Sequence, residues 1–432
     1  MKFSKKQIII LGGGGLLLIL IIVIVVMNLR PSGKELPKVQ LSVWGFDDRR
    51  DFENVAQGYT KLNSNVKITY TQVVEEGYDE NLLEALALDK GPDIFVLKSH
   101  SLLRNKNKLV PVPVIQYGLS SLRNDFPQVV EKDFVSGDSI YALPIFLDTL
   151  ALFYNRDFFD QRGIVFPPDT WQTFQEDVVA LRDLNSAGEL IRAGAGIGGS
   201  TKSVTRAPDL LSLLMLQNGT KMVDDQGSRA MFGAEGRGGA GFRALSFYLQ
   251  FANAASKYYT WNDDYQSDLD SFAQGKTAMV FGYHRDWVSL KKKSPFLNMG
   301  LARMPQPEGR EKDIDYPDYL GLTVSRKSKF PNWAWDFVVY ATTNKEAQET
   351  YYSRVKQPPA LRVMISELEN DPEMGVFARQ ALTARSWVRV DGEAVNQIFG
   401  EAIASVLSGQ ISPDKALVQS QEKVSQVLRQ KN

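Results

Sequence analysis

The sequence predicts an α/β fold organised around a parallel β-sheet. The chain has 432 residues, which at about 150 residues per domain is enough for two or three domains. Hydrophobic residues make up 44% of it, enough for a sizeable core and too many for a mostly disordered chain. Strand-like and helix-like patterns alternate over residues 39–97, and this β-α-β-α-β order implies parallel strands joined by right-handed crossovers.

The segments of this first unit follow from residue spacing. The strand segments are short and rich in β-branched residues, and the first helical segment carries Phe52, Val55 and Tyr59 on one side. Gly91 and Pro92 break the chain before the third strand. The predicted segments are residues 39–44 (strand), 50–62 (helix), 66–74 (strand), 78–88 (helix) and 93–97 (strand).

The loops after the first and third strands supply candidate binding residues. Phe46 and Asp47 follow the first strand, and Ser99 and His100 follow the third. Because ligands of open α/β sheets bind beyond the carboxyl ends of the strands, we expect these four side chains to face a binding crevice. Two alternatives remain open. Asp47 and its neighbour Asp48 also suit the cap of the following helix, and His100 also suits a plain surface loop.

Residues 8–27 form an uncharged, apolar run near the N-terminus. At about 1.5 Å per residue this run spans about 30 Å, the thickness of a bilayer core. Lys2, Lys5 and Lys6 precede it and place the N-terminus in the cytoplasm. A cleaved signal peptide is the alternative, but its apolar run is usually only ~7–15 residues long and an A-x-A-like site should follow. We therefore expect residues 1–37 to form a cytoplasmic stub, a single transmembrane signal anchor and a linker, with an extracellular domain beyond.

Composition and charge exclude several classes of protein. Lys+Arg and Asp+Glu both number 50, so the net charge is zero and nothing indicates a nucleic-acid partner. The absence of cysteine excludes disulfides, Cys-ligated zinc, iron–sulfur clusters and thiol catalysis. The chain has 2 histidines, which argues against a zinc site. We expect neither a cofactor nor a metal.

Residues 269–282 predict a helix, a tight turn and a buried strand. Gly275 suits the left-handed residue that closes a helix, and residues 277–281 are a short apolar run typical of a buried strand. The letters G-K-T at this turn also resemble the end of a phosphate-binding loop. That motif needs a glycine where Asp270 stands and a helix where the strand is predicted. We therefore interpret the turn as structural.

A glycine-rich segment, residues 192–206, precedes a helix predicted for residues 209–217. Gly194, Gly196 and Gly199 fit the G-x-G-x-x-G spacing of dinucleotide-binding folds. That fingerprint needs a helix opening within it, and a polar loop follows here instead. We therefore predict a loop at the edge of a cleft, without a nucleotide.

Motifs spread along the chain resemble those of one protein family. Residues 141–144 read Y-A-L-P, and residues 148–159 read D-T-L-A-L-F-Y-N-R-D-F-F. Residues 168–171 read P-D-T-W, residues 272–279 read F-A-Q-G-K-T-A-M, and residues 412–417 read S-P-D-K-A-L. In this order, the motifs resemble those of the family 1 extracellular solute-binding proteins, the maltose-binding-protein-like receptors of ABC importers.

The resemblance implies a two-lobed periplasmic-binding-protein type II fold with hinge crossings, preceded by the transmembrane helix. Leu320 departs from the family, which has a glycine at that position. The implied boundaries are residues 38–146 plus 322–368 for lobe I and residues 147–321 plus 369–432 for lobe II. The expected crossings lie near residues 144–149, 317–321 and 370–374.

The resemblance also implies binding residues in the cleft. Asp148 lies at the first crossing, where the family often has a carboxylate that accepts hydrogen bonds from sugar hydroxyls. Tyr283 follows the buried strand, where the family often places an aromatic contact, and the nearby Arg285 favours a more polar or anionic ligand. Trp387 is the best candidate for an aromatic sugar platform. The further candidates are Ser203, Arg206, Trp261 and His284. Core packing is an equal alternative for Trp261.

The function implied by the resemblance is solute capture. We expect a monomeric, membrane-anchored extracellular receptor that binds a carbohydrate or related polyol and delivers it to an ABC transporter permease. A ligand-sensing or scaffold protein with the same fold is the first alternative. An extracellular glycoside hydrolase is the second, and it would need two carboxylates about 5–10 Å apart, for which Asp47 and Asp148 are candidates. No catalytic motif is present in the sequence, so we expect no enzymatic activity.

Overall fold

The computed structural model of the chain describes residues 37–429. The predicted transmembrane segment, residues 8–27, lies outside this range. Within residues 37–429, no helix is both long enough and apolar enough to cross a membrane.

The described chain alternates short strands with helices. The strands are β1 (Val39–Gly45), β2 (Val66–Gln72), β3 (Ile94–Lys98), β4 (Leu109–Val110), β5 (Val135–Ser136), β6 (Ser139–Ile140), β7 (Leu143–Pro144), β8 (Asp148–Thr149), β9 (Ala151–Asn155), β10 (Asp183–Leu184), β11 (Leu190–Arg192), β12 (Met279–Gly282), β13 (Met299–Ala302), β14 (Pro317–Asp318) and β15 (Leu320–Ser325). The helices are α1 (Arg49–Leu62), α2 (Tyr78–Ala87), α3 (Leu102–Asn105), α4 (Leu119–Asp125), α5 (Gln128–Phe134), α6 (Arg156–Arg162), α7 (Trp171–Leu181), α8 (Ala207–Gln217), α9 (Ala240–Leu249), α10 (Asp268–Ala273), α11 (His284–Lys293), α12 (Pro331–Thr343), α13 (Lys345–Val355), α14 (Arg362–Leu368), α15 (Met374–Thr383), α16 (Gly392–Leu407) and α17 (Pro413–Arg429).

The first sheet has six strands in the order β2-β1-β3-β15-β4, with β7 also paired to β15. Strand β1 is parallel to both β2 and β3, with Val39 opposite Val66 and Val43 opposite Ile94. Strand β15 runs antiparallel to β3, β4 and β7. The predicted parallel β-α-β-α-β unit is therefore confirmed, and a strand from far along the chain extends it.

Helix α1 shows how sequence and packing agree in this unit. The Arg50 backbone N–H donates to Asp48 Oδ1 at 2.9 Å, a side-chain cap that is typically worth about 1 kcal/mol. Of the alternatives left open for the first loop, capping is therefore observed for Asp48. The rings of Phe52 and Tyr59 pack against Phe337 of α12, with centroids 6.0 and 5.2 Å away. Burying each such ring stabilises the fold by roughly 1.5–3 kcal/mol.

The second sheet is smaller, with strand order β12-β9-β13 and both pairings antiparallel. Tyr154 in the central strand lies opposite Met279 on one side and Gly300 on the other. Helices α6 to α11, α16 and α17 surround this sheet and bury their apolar residues in two cores, one with Leu152 of β9 and the other with Phe153.

Buried side chains thus form separate cores around the two sheets. We call the six-stranded sheet with its packed helices lobe I, and the three-stranded sheet with its helices lobe II. Helix α15 contributes to both. Its Ala378 and Ala381 pack in the lobe I core, whereas its Met374 and Phe377 pack with Phe153 of strand β9.

The chain crosses between the lobes where β8 pairs with β14. This two-stranded antiparallel pair places Asp148 opposite Asp318 and Thr149 opposite Pro317. We call it the crossing ladder. Gln380 of α15 supports it, because Nε2 of Gln380 donates to Thr149 Oγ1 at 3.0 Å and to the adjacent Leu150 carbonyl at 2.9 Å.

The helix–turn–strand predicted for residues 269–282 is confirmed. Ser267 caps α10 by accepting the N–H of Asp270, and the helix is followed by Gly275 with φ +69°. That left-handed backbone favours glycine, which has no Cβ to clash. The chain then enters the buried strand β12 and emerges at Tyr283.

The helical pattern of residues 240–255 predicts a longer helix than the one observed. Helix α9 ends at Leu249 and the chain tightens into a 3₁₀ turn, Gln250–Ala252. The carbonyl of Phe251 instead accepts the backbone N–H groups of Thr260 and Trp261, at 2.9 and 3.1 Å. These two hydrogen bonds occupy a carbonyl that a longer helix would use. They come from residues outside the helical pattern, so the pattern could not predict them.

Candidate functional site

A cavity of about 210 Å³ lies between the two lobes beside the crossing ladder. We call it the inner chamber. Lobe I, lobe II and the β14–β15 segment all contribute side chains to it, and most of these side chains are ionisable. The lining residues are Glu75, Lys98, His100, Phe146, Arg206, Asp209, Tyr283, Arg285, Pro317, Asp318, Tyr319, Leu320, Arg389, Glu393 and Asn396.

A second cavity of about 480 Å³ adjoins the first and shares His100 and Arg389 with it. We call it the outer chamber. Its floor comes from the β3–α3 loop and the β5–β6 hairpin of lobe I, and residues 223–227 of lobe II line its other side. Trp387 also lines it. The two shared side chains therefore form the wall between the chambers.

Strand ends and helix starts bring the inner-chamber side chains together. His100 lies two residues beyond the end of β3, and Tyr283 directly follows β12. Arg285 lies in the first turn of α11, while Arg206 and Asp209 lie at the start of α8. The expectation that loops at strand carboxyl ends face a crevice describes this arrangement well.

The ring of Tyr283 is covered by cations. The guanidinium groups of Arg206 and Arg285 lie over it, 4.9 and 5.3 Å from its centroid. Arg206 is held there by Asp286, which accepts its Nε at 3.0 Å and its Nη2 at 2.7 Å. Tyr283 thus serves as a platform for guanidinium groups, and its hydroxyl oxygen has no hydrogen-bond partner in the described chain.

Arg285 forms an ion pair inside the chamber. Its Nη2 donates to Asp318 Oδ2 at 2.6 Å. Burial by itself raises the pKa of Asp318, but Arg285 outweighs that effect and the pKa of this carboxyl lies below its ordinary value. Asp318 is therefore a stable carboxylate that fixes the position of Arg285.

Arg389 differs from the other cations of the chamber. It is only 6% exposed, and within residues 37–429 no carboxylate oxygen lies within 4.0 Å of its guanidinium nitrogens. Its Nε has no hydrogen-bond partner there, and neither does Oδ1 of Asn396 on the same chamber wall. The guanidinium group lies over the rings of Tyr316 and Trp387, 5.6 and 6.0 Å from their centroids.

Side chains of lobe I close the chamber against helix α16 of lobe II. Lys98 Nζ donates to Glu393 Oε1 at 2.7 Å, and Arg104 Nη1 donates to Asp391 Oδ2 at 2.8 Å. The His100 ring packs directly on Gly392, where an added Cβ would lie 2.5 Å from the ring. These contacts hold the two lobes together around the chamber.

His100 is uncharged in this setting. Burial, together with the nearby charge of Arg389, lowers the pKa of its imidazole to about 3. Its Nδ1 lies 3.3 Å from Ser101 Oγ. The ring can therefore present one donor and one acceptor to hydroxyl groups.

Half of the residues predicted from sequence line one of the two chambers. His100, Arg206, Tyr283 and Arg285 line the inner chamber. Ser99 and Trp387 line the outer chamber, together with His100. Trp387 is buried and stacked on Phe399, with centroids 6.1 Å apart, so the sugar platform proposed for it remains a prediction.

The structure places Asp148 away from both chambers. Its side chain is 3% exposed and accepts the backbone N–H groups of Thr149 at 2.8 Å and His284 at 2.9 Å. Burial raises the pKa of this carboxyl to about 8. Asp148 thus joins the crossing ladder to the start of α11, and this geometry does not support its predicted contact with sugar. The reason is that each oxygen of this buried carboxyl already accepts a backbone N–H group.

His284 also lies away from the chambers. It lines a separate groove behind the crossing ladder, with its ring 5.3 Å from that of Phe377. Its Nε2 is 3.9 Å from Glu373 Oε1. Because α11 turns successive side chains by about 100°, Arg285 lines the inner chamber while His284 lines a different cavity.

Ser203 and Trp261 are partners in the lobe II core. Trp261 is fully buried, its ring is stacked on Tyr265 with centroids 4.3 Å apart, and its Nε1 donates to Ser203 Oγ at 3.0 Å. Core packing, the alternative kept open for Trp261, is what the structure shows. The glycine-rich loop brings Ser203 to this indole and not to the cleft.

Phe46 and Asp47 serve the interior of lobe I. The Phe46 ring packs edge-on against Tyr78 at 4.9 Å, and Asp47 Oδ2 accepts the hydroxyl of Tyr351 at 2.9 Å. Neither lines the inner or the outer chamber.

Sequence reasoning missed several ionisable residues of the inner chamber. Asp318 lies within a predicted crossing, residues 317–321, and could have been selected because strand ends at crossings face the cleft. Lys98 ends β3 and precedes two residues that were selected. Arg389 stands two residues after Trp387, a spacing that puts two side chains on the same face of an extended segment, and it could have been selected for that reason. Asp209 was read only as the start of a helix.

The inner chamber is lined by many hydrogen-bond donors and by little exposed apolar surface. Binding pockets for drug-sized ligands are mostly apolar and span roughly 300–1,000 Å³. A chamber of about 210 Å³ with this lining suits a small, strongly polar molecule whose groups each meet a charged or hydrogen-bonding side chain.

Comparison with known proteins agrees with this architecture. The chain is 22% identical over 346 residues to the mannitol-binding protein of Pseudomonas aeruginosa, covering 72% of this chain and 74% of the relative. An ABC transporter solute-binding protein from Thermotoga lettingae, solved with alpha-D-tagatose, aligns with a TM-score of 0.69 at 19% identity, covering 90% of this chain and 99% of that one. The cyclic alpha-maltosyl-1,6-maltose binding protein of Arthrobacter globiformis aligns with a TM-score of 0.76 at 17% identity, covering 91% and 100%. These likenesses establish the two-lobed fold.

A family model provides the assignment. The model described as bacterial extracellular solute-binding protein matches residues 47–348, well over half of the chain. The resemblance inferred from the motifs is confirmed. The chain belongs to the family of bacterial extracellular solute-binding proteins.

Proposed function

We propose that the protein is an extracellular receptor that captures a small carbohydrate or polyol between its lobes and delivers it to an ABC transporter permease. The observation that carries this proposal is the inner chamber, because both lobes line it and interlobe ion pairs close it. A ligand bound there touches both lobes at once and stabilises the closed arrangement. The relatives named for mannitol and solved with tagatose bind molecules of this class.

The lobes move as units in this proposal. We place their boundaries at residues 38–146 plus 322–368 and at residues 147–321 plus 369–432, with hinge bending at the three crossings. The crossing ladder is short, with two residues in each strand, and it can absorb a rotation without breaking either main sheet. Opening would separate Lys98 from Glu393 and expose the chamber.

Residues 8–27 complete the proposal as a membrane anchor. An anchored receptor remains near its permease, which raises its effective concentration there. We propose a single-pass protein at the cell membrane, with a cytoplasmic N-terminus and a monomeric extracellular binding domain that has no catalytic role. The hydrolase alternative has no supporting observation, because neither Asp47 nor Asp148 lines a chamber.

Thermal unfolding of the full-length chain in a mild detergent tests the receptor proposal. We expect one small sugar, sugar acid or polyol of a panel to raise the Tm by several degrees, because a ligand that binds only the folded state stabilises it by mass action. Chromatography of the same mixtures should recover the ligand unchanged. Release of a product would support the hydrolase instead, and the absence of any shift across monosaccharides, polyols, sugar acids and oligosaccharides would contradict the proposal.

A further inference from the structure

Most cations of the inner chamber already hold a carboxylate of the protein. The pairs are Lys98 with Glu393 at 2.7 Å, Arg206 with Asp286 at 2.7 Å, and Arg285 with Asp318 at 2.6 Å. Arg389 lines the same chamber and has no such partner in the described part of the chain. A charge that is more than nine-tenths buried costs several kcal/mol unless it is paired. Arg389 is therefore the cation of the chamber lining that has no ion-pair partner within residues 37–429.

Asp209 is the carboxyl that remains unpaired in the chamber. It lies in the first turn of α8, where the helix N-terminus already stabilises negative charge. Burial raises its pKa, although Arg206 and Arg389 oppose that shift. The Asp209 carboxyl forms no ion pair with Arg389 or another cation in the described part of the chain, so its oxygens are available to the hydroxyl groups of a ligand.

The aromatic residues predicted to contact a sugar ring do not offer a bare face to the inner chamber. Tyr283 has two guanidinium groups over its ring, and Trp387 lines only the outer chamber. Because most of the lining side chains are ionisable, recognition inside depends chiefly on charge and hydrogen bonds, of which the charge-assisted ones are roughly twice as strong as neutral ones.

The wall between the chambers limits the length of the ligand. The His100 ring packs on Gly392 so closely that a Cβ would lie 2.5 Å away, and Arg389 lies beside it. An oligosaccharide would have to pass through this wall to occupy both chambers. The cavity volume of about 210 Å³ suits one sugar unit.

We propose that the inner chamber binds a monosaccharide-sized acid, a sugar or polyol that carries one carboxylate or phosphate group. The anionic group pairs with Arg389, and the hydroxyl groups bind Asp209, Asn396 and His100. This inference rests on the proposed receptor function and specifies its ligand. A planar guanidinium group matches both carboxylate and phosphate oxygens with two parallel hydrogen bonds.

Isothermal titration of the full-length chain with matched probes tests the inference. The carboxylate arm compares D-galacturonate with D-galactose and D-glucuronate with D-glucose. The phosphate arm compares D-glucose 6-phosphate with D-glucose. We expect at least one acid to bind about 100-fold or more tightly than its neutral counterpart, and the arm that contains it identifies the anionic group.

Variants of Arg389 assign the effect to this side chain. Arg389→Gln should weaken binding of that acid by about 100-fold and change binding of the neutral counterpart by less than about 3-fold. Arg389→Lys should restore part of the loss, because it keeps the charge without the planar fork. Arg354→Gln, on an exposed part of α13, is the matched control and should bind like the original chain. Circular dichroism confirms that each variant is folded.

The outcomes separate this inference from the receptor proposal. If neutral sugars or oligosaccharides bind at least as tightly as every acid, the acid inference is overturned and the receptor proposal stands. If an acid binds tightly but Arg389→Gln binds it equally well, the role of Arg389 is overturned. If no probe of any class binds, both proposals fail.

Discussion

The crossing ladder and the inner chamber both bury ionisable groups, and they do so in opposite ways. At the crossing ladder, Asp148 accepts two backbone N–H groups. In the inner chamber, Arg389, which lies between α15 and α16, lines a cavity without a carboxylate partner in the described chain. Both side chains are more than nine-tenths buried. The difference indicates that the first group stabilises the fold, whereas the second is left for a ligand.

The largest expected effect is a loss of folding stability when Asp148 of the crossing ladder is replaced. Asp148→Ala leaves two buried N–H groups without acceptors, and each costs about 1–3 kcal/mol. We expect the free energy of unfolding to fall by about 2–5 kcal/mol in chemical denaturation. Asp160→Ala, an exposed position on α6, should change it by less than about 0.5 kcal/mol. An equally small change for Asp148→Ala would remove the structural role assigned to it.

The pH dependence of stability gives a smaller effect at the same residue. Burial raises the pKa of Asp148 to about 8, above the ordinary value for an unfolded chain of about 3.9. The folded state therefore binds more protons between pH 4 and 8, and this group makes stability fall as pH rises through that window. Since one pKa unit corresponds to about 1.4 kcal/mol and relaxation of a buried site reduces the full value, we expect a contribution on the order of 2 kcal/mol.

Denaturation curves of Asp148→Asn at several pH values isolate this contribution. The amide keeps an acceptor oxygen but cannot ionise, so the variant should lose less stability than the original chain between pH 4 and 8. Parallel pH profiles for the two proteins would show that Asp148 does not titrate with a raised pKa.

A smaller effect still is expected at the wall between the chambers. In Gly392→Ala the new Cβ would lie 2.5 Å from the His100 ring, so the two lobes cannot approach each other as closely. We expect ligand affinity to drop about 10-fold, which corresponds to about 1.4 kcal/mol. Gly118→Ala is the matched control, because a Cβ there meets no atom closer than 3.8 Å. Titration calorimetry with the tightest-binding probe measures both. Unchanged affinity in Gly392→Ala would mean that closure does not need this contact.

The smallest effect is expected on the stability of the ligand-free protein when Arg389 is replaced. Arg389→Met removes a buried charge without a counterion, and replacing such a group by an apolar side chain is often neutral or stabilising. We expect the free energy of unfolding without ligand to stay within about 1 kcal/mol of the original value or to rise, while binding is lost. A loss as large as that of Asp148→Ala would place Arg389 among the structural groups and erase the contrast.

The sequence predicted the fold better than it predicted the site. Periodicity and capping signals are local, so the parallel unit, the cap at Asp48 and the turn at Gly275 could all be predicted from short segments. The family motifs then predicted the two-lobed architecture. The motifs also selected Asp148, because a motif fixes the position of a residue along the chain. It does not indicate whether the side chain points into the cleft or into the crossing ladder.

The residues of the inner chamber depend on how distant segments meet. Arg389 and Asp209 are separated by most of lobe II in the sequence, and only the packing of α8 and α16 brings them to one cavity. Trp261 shows the converse, because a tryptophan selected as a candidate binding residue is buried in the core. Which charges remain unpaired can be determined only after all partners are placed, and no local pattern carries that information.

A crystal structure of the protein with its tightest-binding small acid tests the central claim most directly. We expect the anionic group of the ligand to lie in the inner chamber, within about 3.2 Å of the Arg389 guanidinium nitrogens, while Asp148 keeps its two backbone partners. A ligand bound in the outer chamber, or Arg389 paired with a carboxylate of the protein while the ligand lies elsewhere, would contradict the claim that this buried charge is reserved for the ligand.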